Sequence, residues 1–188
     1  SMEAGEREVK VAYQGEPGAF SHEACRRFLP AYEPVRKRRF ADVYDSVASG
    51  ETELGVLPEE NSAAGVVPEV RELLARGTLA VVGRHVLPIR MHLLAVPGAK
   101  LESVRLVVSQ PIALAQCARN LERLGIATET ALNTAGAAKE LAESGDTSRA
   151  VLASEMAAST YGLEILQRDL QDRSDNATRF VVLSRGEG

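Results

Sequence analysis

The apolar residues of this chain change their period repeatedly, and that alternation limits the possible folds more than any other feature. Residues 8–13, EVKVAY, place Val9, Val11 and Tyr13 on one face at period two, as a half-buried strand requires. A turn-rich QGEPG follows, and AFSHEACRRFL then reads as a helix that stops at Pro30. Phe40, Val43, Tyr44 and Val47 recur at helical spacing up to Gly50. ELGVLP is a short strand, VVPEVRELLAR a helix closed by Gly77, and residues 79–87 and 91–96 are strand-length apolar runs separated by Pro88.

The second half repeats this grammar without repeating the sequence. VRLVVS is a strand, and PIALAQCARNLERLG a helix with proline near its start and glycine at its end. NTAGAAKELAES is an alanine-rich helix with Asn133 or Thr134 as N-cap, RAVLA a strand, and SEMAASTYG a helix that Ser154 caps. LEILQRDLQD and TRFVVLS close the chain as extended segments. Strands separated by helices indicate an α/β fold, and two such runs with a crossover near residues 85–92 predict two lobes.

With 22 Lys and Arg against 26 Asp and Glu, the net charge of −4 gives no reason to expect a nucleic acid or an anionic membrane as partner. No apolar stretch reaches the ~18 residues that a spanning helix needs. The charged start SMEAGEREVK lacks the apolar core of a secretory signal. Cys25 and Cys117 stand apart in helical, apolar surroundings, so free buried thiols and a cytoplasmic location are expected. His22, His85 and His92 form no metal-binding spacing, and no metal is expected.

Four stretches could carry chemistry. LPEENSAAG, residues 57–65, reads as a strand that ends at Pro58 and a polar loop that opens a helix, with Asn61 or Ser62 as cap or as ligand contact. SQPIALAQC has the same form: Ser109 either caps the helix or helps build an anion site, and Gln116 lies within an apolar run. GEPGAFS supplies a third loop, whose glycines allow close backbone approach, but it lacks the lysine of a phosphate loop. Finally, DNATRFVVL sets Thr178 and Arg179 at the mouth of a strand whose continuation, Phe180 to Leu183, reads as buried. Hydroxyls, amides, carboxylates and one arginine suit polarisation of an oxygen better than attack by an activated nucleophile.

GEPGAFS, PEENSAAG, SQPIALAQC, YGLEIL, QD and NATRF, taken in order over residues 9 to 184, resemble the catalytic region of prephenate dehydratase. The resemblance implies two lobes, each a mixed sheet flanked by helices, with a cleft between them, in the manner of type II periplasmic binding proteins. Residues 8–86 and 176–188 would form the first lobe and 87–175 the second, with 1–7 disordered or tag-derived. It further implies cofactor-free loss of carbon dioxide and the ring hydroxyl from prephenate to give phenylpyruvate, in phenylalanine biosynthesis, by a cytoplasmic homodimer. Aromatisation drives that step, so the protein must hold a dianion and help hydroxide depart. Thr178 would donate a hydrogen bond to the departing hydroxyl. Glu60, Asn61, Ser109 and Gln116 would complete the catalytic set, with a shielded Glu60 as a general acid. Arg179, Phe180, Ser62, Ala19 and Phe20 would bind substrate, Arg179 through a carboxylate. Alternation along a strand, however, allows Arg179 to point away from Thr178.

The chain departs from the family's Ser-His-Pro-Gln at Gln110 and Ile112, and from its Pro-Ile-Glu-Asn-Ser at Glu59. These changes favour a sister activity as the alternative: a dehydratase or decarboxylase acting on arogenate or a modified prephenate. A non-catalytic module that binds a small carboxylate is a second alternative. Many family members continue past the equivalent of residue 188 into an ACT regulatory domain, so the resemblance implies a catalytic domain without that C-terminal domain, whether removed or naturally missing.

Overall fold

The computed structural model describes residues 8–186; residues 1–7, expected to be disordered or tag-derived, lie outside them. In chain order the first elements are β1 (Lys10–Gln14), α1 (Phe20–Phe28), β2 (Glu33–Lys37), α2 (Phe40–Ser49), β3 (Leu54–Asn61), β4 (Gly65–Val66), α3 (Pro68–Ala75) and β5 (Ala80–Pro88). There follow β6 (His92–Ala95), β7 (Leu106–Ser109), α4 (Pro111–Gln116), α5 (Ala118–Leu124) and β8 (Ala127–Thr130). The chain closes with α6 (Thr134–Ser144), β9 (Arg149–Ala153), α7 (Glu155–Tyr161), β10 (Glu164–Gln167) and β11 (Ala177–Ser184).

These elements form two compact units, each a mixed α/β layer structure. Among the described residues one unit holds 8–16, Ser21–Leu87 and 177–186; the other holds Pro17–Phe20 and Pro88–Asn176. The first sheet has the order β2-β1-β3-β11-β5, with the short β4 paired to β3. β1 runs parallel to β2 and β3, whereas β11 is antiparallel to β3. The second sheet has the order β10-β6-β9-β7-β8. There β7 is parallel to β8 and β9, and β6 is antiparallel to β9. Each sheet thus has three parallel strands, centred on β1 in one and on β7 in the other, with an antiparallel strand beside them. The repeated grammar of the sequence is a repeated topology.

The core of the first unit forms where the α2 face meets the sheet: Ala12, Val43, Tyr44, Leu57, Val70, Leu73, Val181 and Leu183 cluster there. The spacing of Phe40, Val43, Tyr44 and Val47 produces that face, and the Asp42 carboxylate accepts the Arg39 N–H at 3.2 Å to start the helix. β3 approaches α2 so closely that a Cβ at Gly55 would stand 2.8 Å from a Val47 methyl, which accounts for the glycine.

Three expectations fail locally. PEEN is not a loop to a helix: β3 runs on to Asn61 and turns through a tight hairpin into β4, pairing Asn61 with Gly65. The helix expected from Pro111 to Gly125 breaks at Cys117, whose φ of −117° and ψ of 9° separate α4 from α5. Its cause is Asp172, which accepts the N–H groups of Arg119 and Asn120 at 3.0 and 3.1 Å and gives α5 an N-terminus of its own. Pro17–Phe20, expected in the first lobe, packs with the second unit through α7.

Candidate active site

The hairpin that replaces the expected loop builds a polar cluster around Thr178. Asn61 faces Thr178 across the antiparallel β3–β11 pair, and its Nδ2 donates to Thr178 Oγ1 at 2.8 Å and to Ala177 O at 3.2 Å. Its Oδ1 accepts the N–H groups of Ala63 and Ala64, both at 2.9 Å, which closes the turn. Asn61 therefore spends both donors and both acceptor positions inside the protein. It orients Thr178 and has no bond left for a substrate. Thr178 is 8 % exposed, and its oxygen accepts from Asn61. Among the described residues no acceptor takes its hydroxyl hydrogen, so the group is held as a donor. Ser62, expected to bind substrate, is exposed and uses its hydroxyl to accept the Ala177 N–H at 2.9 Å.

Next to this pair the ladder carries a β-bulge. Glu60 pairs with Arg179 and Pro58 with Phe180, which leaves Glu59 as the extra residue of β3. The bulge puts Glu59 and Glu60 on one side of the sheet, where Arg179 bridges them: Nε donates to Glu59 at 3.0 Å and Nη2 to Glu60 at 2.9 Å. Arg84 of β5 donates to Glu59 as well, at 3.1 Å. Burial pushes the Glu59 carboxyl up, but bonds from Arg84 and Arg179 more than offset this and hold it below the ordinary carboxylate range.

This arrangement corrects three expected roles. Arg179 lies on the strand face opposite Thr178, and its guanidinium is engaged by two carboxylates there instead of standing beside the hydroxyl. Glu60 is not shielded: its side chain is 40 % exposed. Phe180, expected to touch substrate, is 2 % exposed and belongs to the packed interior.

The second unit carries the other predicted residues. Ser109 is fully buried and donates its hydroxyl to Leu152 O at 2.7 Å; it neither caps α4 nor offers an anion site. Gln116 is half-buried, its Oε1 accepts from Asn176 Nδ2 at 3.5 Å, and its own amide hydrogens have no acceptor among the described residues. Gln110 donates to Leu132 O at 3.1 Å, and Ile112 is exposed. Ala19, in the loop that α7 holds, and Phe20, the first residue of α1, are half-buried. Ser154 Oγ donates to Gly18 O, and Tyr161 OH to Pro17 O at 2.6 Å. Gly18 has a φ of +92°, and a Cβ there would sit 2.9 Å from Ala157 Cα. A cavity of about 350 Å³ in this unit, lined in part by Glu129, Asn133, Glu140 and Arg149, includes none of the predicted residues. Among the described residues no group of His, Cys, Asp and Glu is placed to hold a metal ion.

Sequence reasoning missed Arg84, Asn176 and Asp172. Each acts through partners at least 25 residues away, as Arg84 does with Glu59, and no local pattern announces such a bond. Asp172 and Asn176 did lie within the family-like series, in its QD and NATRF fragments, whereas Arg84 had no such signal.

Comparison with known proteins places these features in a wider set. The family model described as prephenate dehydratase matches residues 11–188. The arogenate dehydratase/prephenate dehydratase 2 of Arabidopsis thaliana chloroplasts is 42% identical over 185 residues, which are 98% of this chain and 48% of that protein. A bifunctional N-acyl-homoserine lactone acylase/prephenate dehydratase of Komagataeibacter europaeus is 39% identical over 175 residues, 93% of this chain and 62% of that one. Among solved structures, the prephenate dehydratase of Arthrobacter aurescens in complex with L-Phe superposes with a TM-score of 0.83 at 25% identity, over 96% of this chain and 61% of that one. The chain spans about half the length of the plant relative it matches.

Proposed function

Because the chain belongs to the prephenate dehydratase family, a family of carbon–oxygen lyases, we propose that it converts prephenate to phenylpyruvate, carbon dioxide and water in aromatic amino acid biosynthesis. One observation carries this reading. Asn61 donates to Thr178 and so leaves the Thr178 hydroxyl hydrogen free to be given away, in a position only 8 % exposed.

In the reaction the bond between the ring and its carboxylate breaks, and its electrons enter the ring as the C–O bond to the ring hydroxyl breaks. The oxygen departs with negative charge, and that is where a fixed donor acts. A threonine hydroxyl is too weak an acid to surrender its proton at neutral pH, so Thr178 stabilises the leaving oxygen by a hydrogen bond and a solvent proton completes the water. A preorganised donor of this kind contributes on the order of 10²–10³ in rate. By family resemblance we assign Gln116, whose amide hydrogens have no acceptor among the described residues, to contact with an anionic group. Asn61 supports the step through Thr178.

Arogenate is a second candidate substrate, favoured by the 42% identity to plant proteins named as arogenate dehydratases. Family resemblance further leads us to infer a homodimer, and the two free, buried cysteines agree with a cytoplasmic setting. Incubating the purified chain with prephenate and, separately, arogenate tests the assignment. Phenylpyruvate from prephenate supports it; phenylalanine from arogenate alone moves the chain to the sister activity; no turnover of either refutes enzymatic function. Sedimentation of the same preparation tests the dimer.

A further inference from the structure

We propose that Arg179, bridging Glu59 and Glu60, is a positioning residue that selects the strand register in which Thr178 meets Asn61. This rests on the assignment of Thr178 to the leaving hydroxyl. Two registers compete at this point of the β3–β11 pair. If the ladder ran on regularly from the Pro58–Phe180 pair, Glu59 would face Arg179 and Glu60 would face Thr178. A carboxylate opposite the hydroxyl accepts its hydrogen and removes it from the reaction. The bulge inserts one residue and moves Asn61, whose amide is a donor, into that place.

A bulge gives up a ladder bond, so something must favour it. Only in the bulged register do Glu59 and Glu60 fall on one side of the sheet, where one guanidinium engages both at 3.0 and 2.9 Å. Arg84 holds Glu59 from β5 at 3.1 Å and completes the clamp. Arg179 thus works from the far face of the strand. It decides which side chain Thr178 sees without itself facing the substrate.

The test compares Arg179→Met with wild type in steady-state kinetics and in exchange of the Asn61 side-chain amide protons by NMR. Misplacement of about 1 Å at a reacting group costs on the order of 10²-fold, and a fall in kcat of that order with KM unchanged is expected. In a Thr178→Val background the same change should cost nothing further, because the donor it positions is gone. Loss of protection of the Asn61 amide protons should accompany the kinetic loss. Glu59→Gln leaves Arg179 in place and should shift kcat and amide exchange the same way to a smaller degree, which covers a poorly folding Arg179 variant. A rise in KM at constant kcat would overturn the proposal and make Arg179 a substrate receptor. Unchanged amide exchange in both variants would overturn it whatever the turnover. An inactive wild type would defeat the functional assignment instead, and the exchange data would still decide the register.

Discussion

Replacing Asn61 by aspartate changes one NH₂ group to an oxygen and should disable the site with little loss of fold. In the native protein the Asn61 amide nitrogen lies 2.8 Å from Thr178 Oγ1 and donates to it. An aspartate oxygen at that distance is tolerated only if the hydroxyl donates instead. The hydrogen that would meet the leaving oxygen then points inward. The rate should fall by about 10²–10³, the cost of losing one preorganised donor. Stability should change far less. Ala177 O loses the 3.2 Å bond from Asn61, but it still accepts the Ser62 N–H at 2.9 Å and is not orphaned. The bonds from Ala63 and Ala64 to the retained oxygen gain charge assistance. A net cost near 1 kcal/mol is expected, or a Tm lower by about 2–4 °C in a chain of this size. Phenylpyruvate formation beside calorimetry separates the two effects. An Asn61→Asp protein that turns over at the wild-type rate would refute the polarity argument, as would one whose lost activity merely tracks unfolding.

Gly18→Ala should destabilise the chain by about 1–3 kcal/mol, because it forces a side chain into φ +92° and against Ala157; denaturant melts measure this. Phe180→Ala should cost about 3–5 kcal/mol through the cavity left in the packed interior, with KM of the surviving folded protein unchanged. His92 is buried, and its Nδ1 accepts the Asp169 N–H at 3.0 Å. Desolvation, ahead of the opposing Asp169 charge, lowers its pKa below 6.5. The unfolded chain therefore takes up the proton first, so this stability is fully present above pH 6.5 and is lost as pH falls towards the folded pKa. Thermal melts from about pH 7.5 to 5.5 should show that decline, and it should flatten in His92→Gln. His22, lowered in the same direction by burial and then by Arg26, keeps part of the slope.

The fold was legible where apolar spacing is regular, as in α2 with Phe40, Val43, Tyr44 and Val47, or where a cap announces itself, as with Asn133 accepting the Gly136 N–H and Ser154 that of Ala157. It was illegible where strands carry no pattern. β2 is EPVRK, with a proline and charges, and β8 is exposed at every position. Pro58 reads as the end of a strand, yet β3 continues past it. β1 pairs with β3 only at Leu54 and Gly55, so the outer half of β3 has no β1 ladder to lose. The place of Thr178 at a strand end could be read directly. The fates of Arg179 and Phe180 could not be read from the family resemblance, because a bulge sets one and the core claims the other. The apolar run from Phe180 to Leu183 had already pointed to burial, and there the residues were the better guide.

If Thr178 supplies a hydrogen bond to the departing hydroxyl, as proposed, removal of that one oxygen must slow the reaction. Phenylpyruvate formation by Thr178→Val, which keeps the shape and removes the hydroxyl, tests it most directly. A loss of about 10²–10³ in kcat with the fold intact is expected. Wild-type turnover by the valine variant would contradict it.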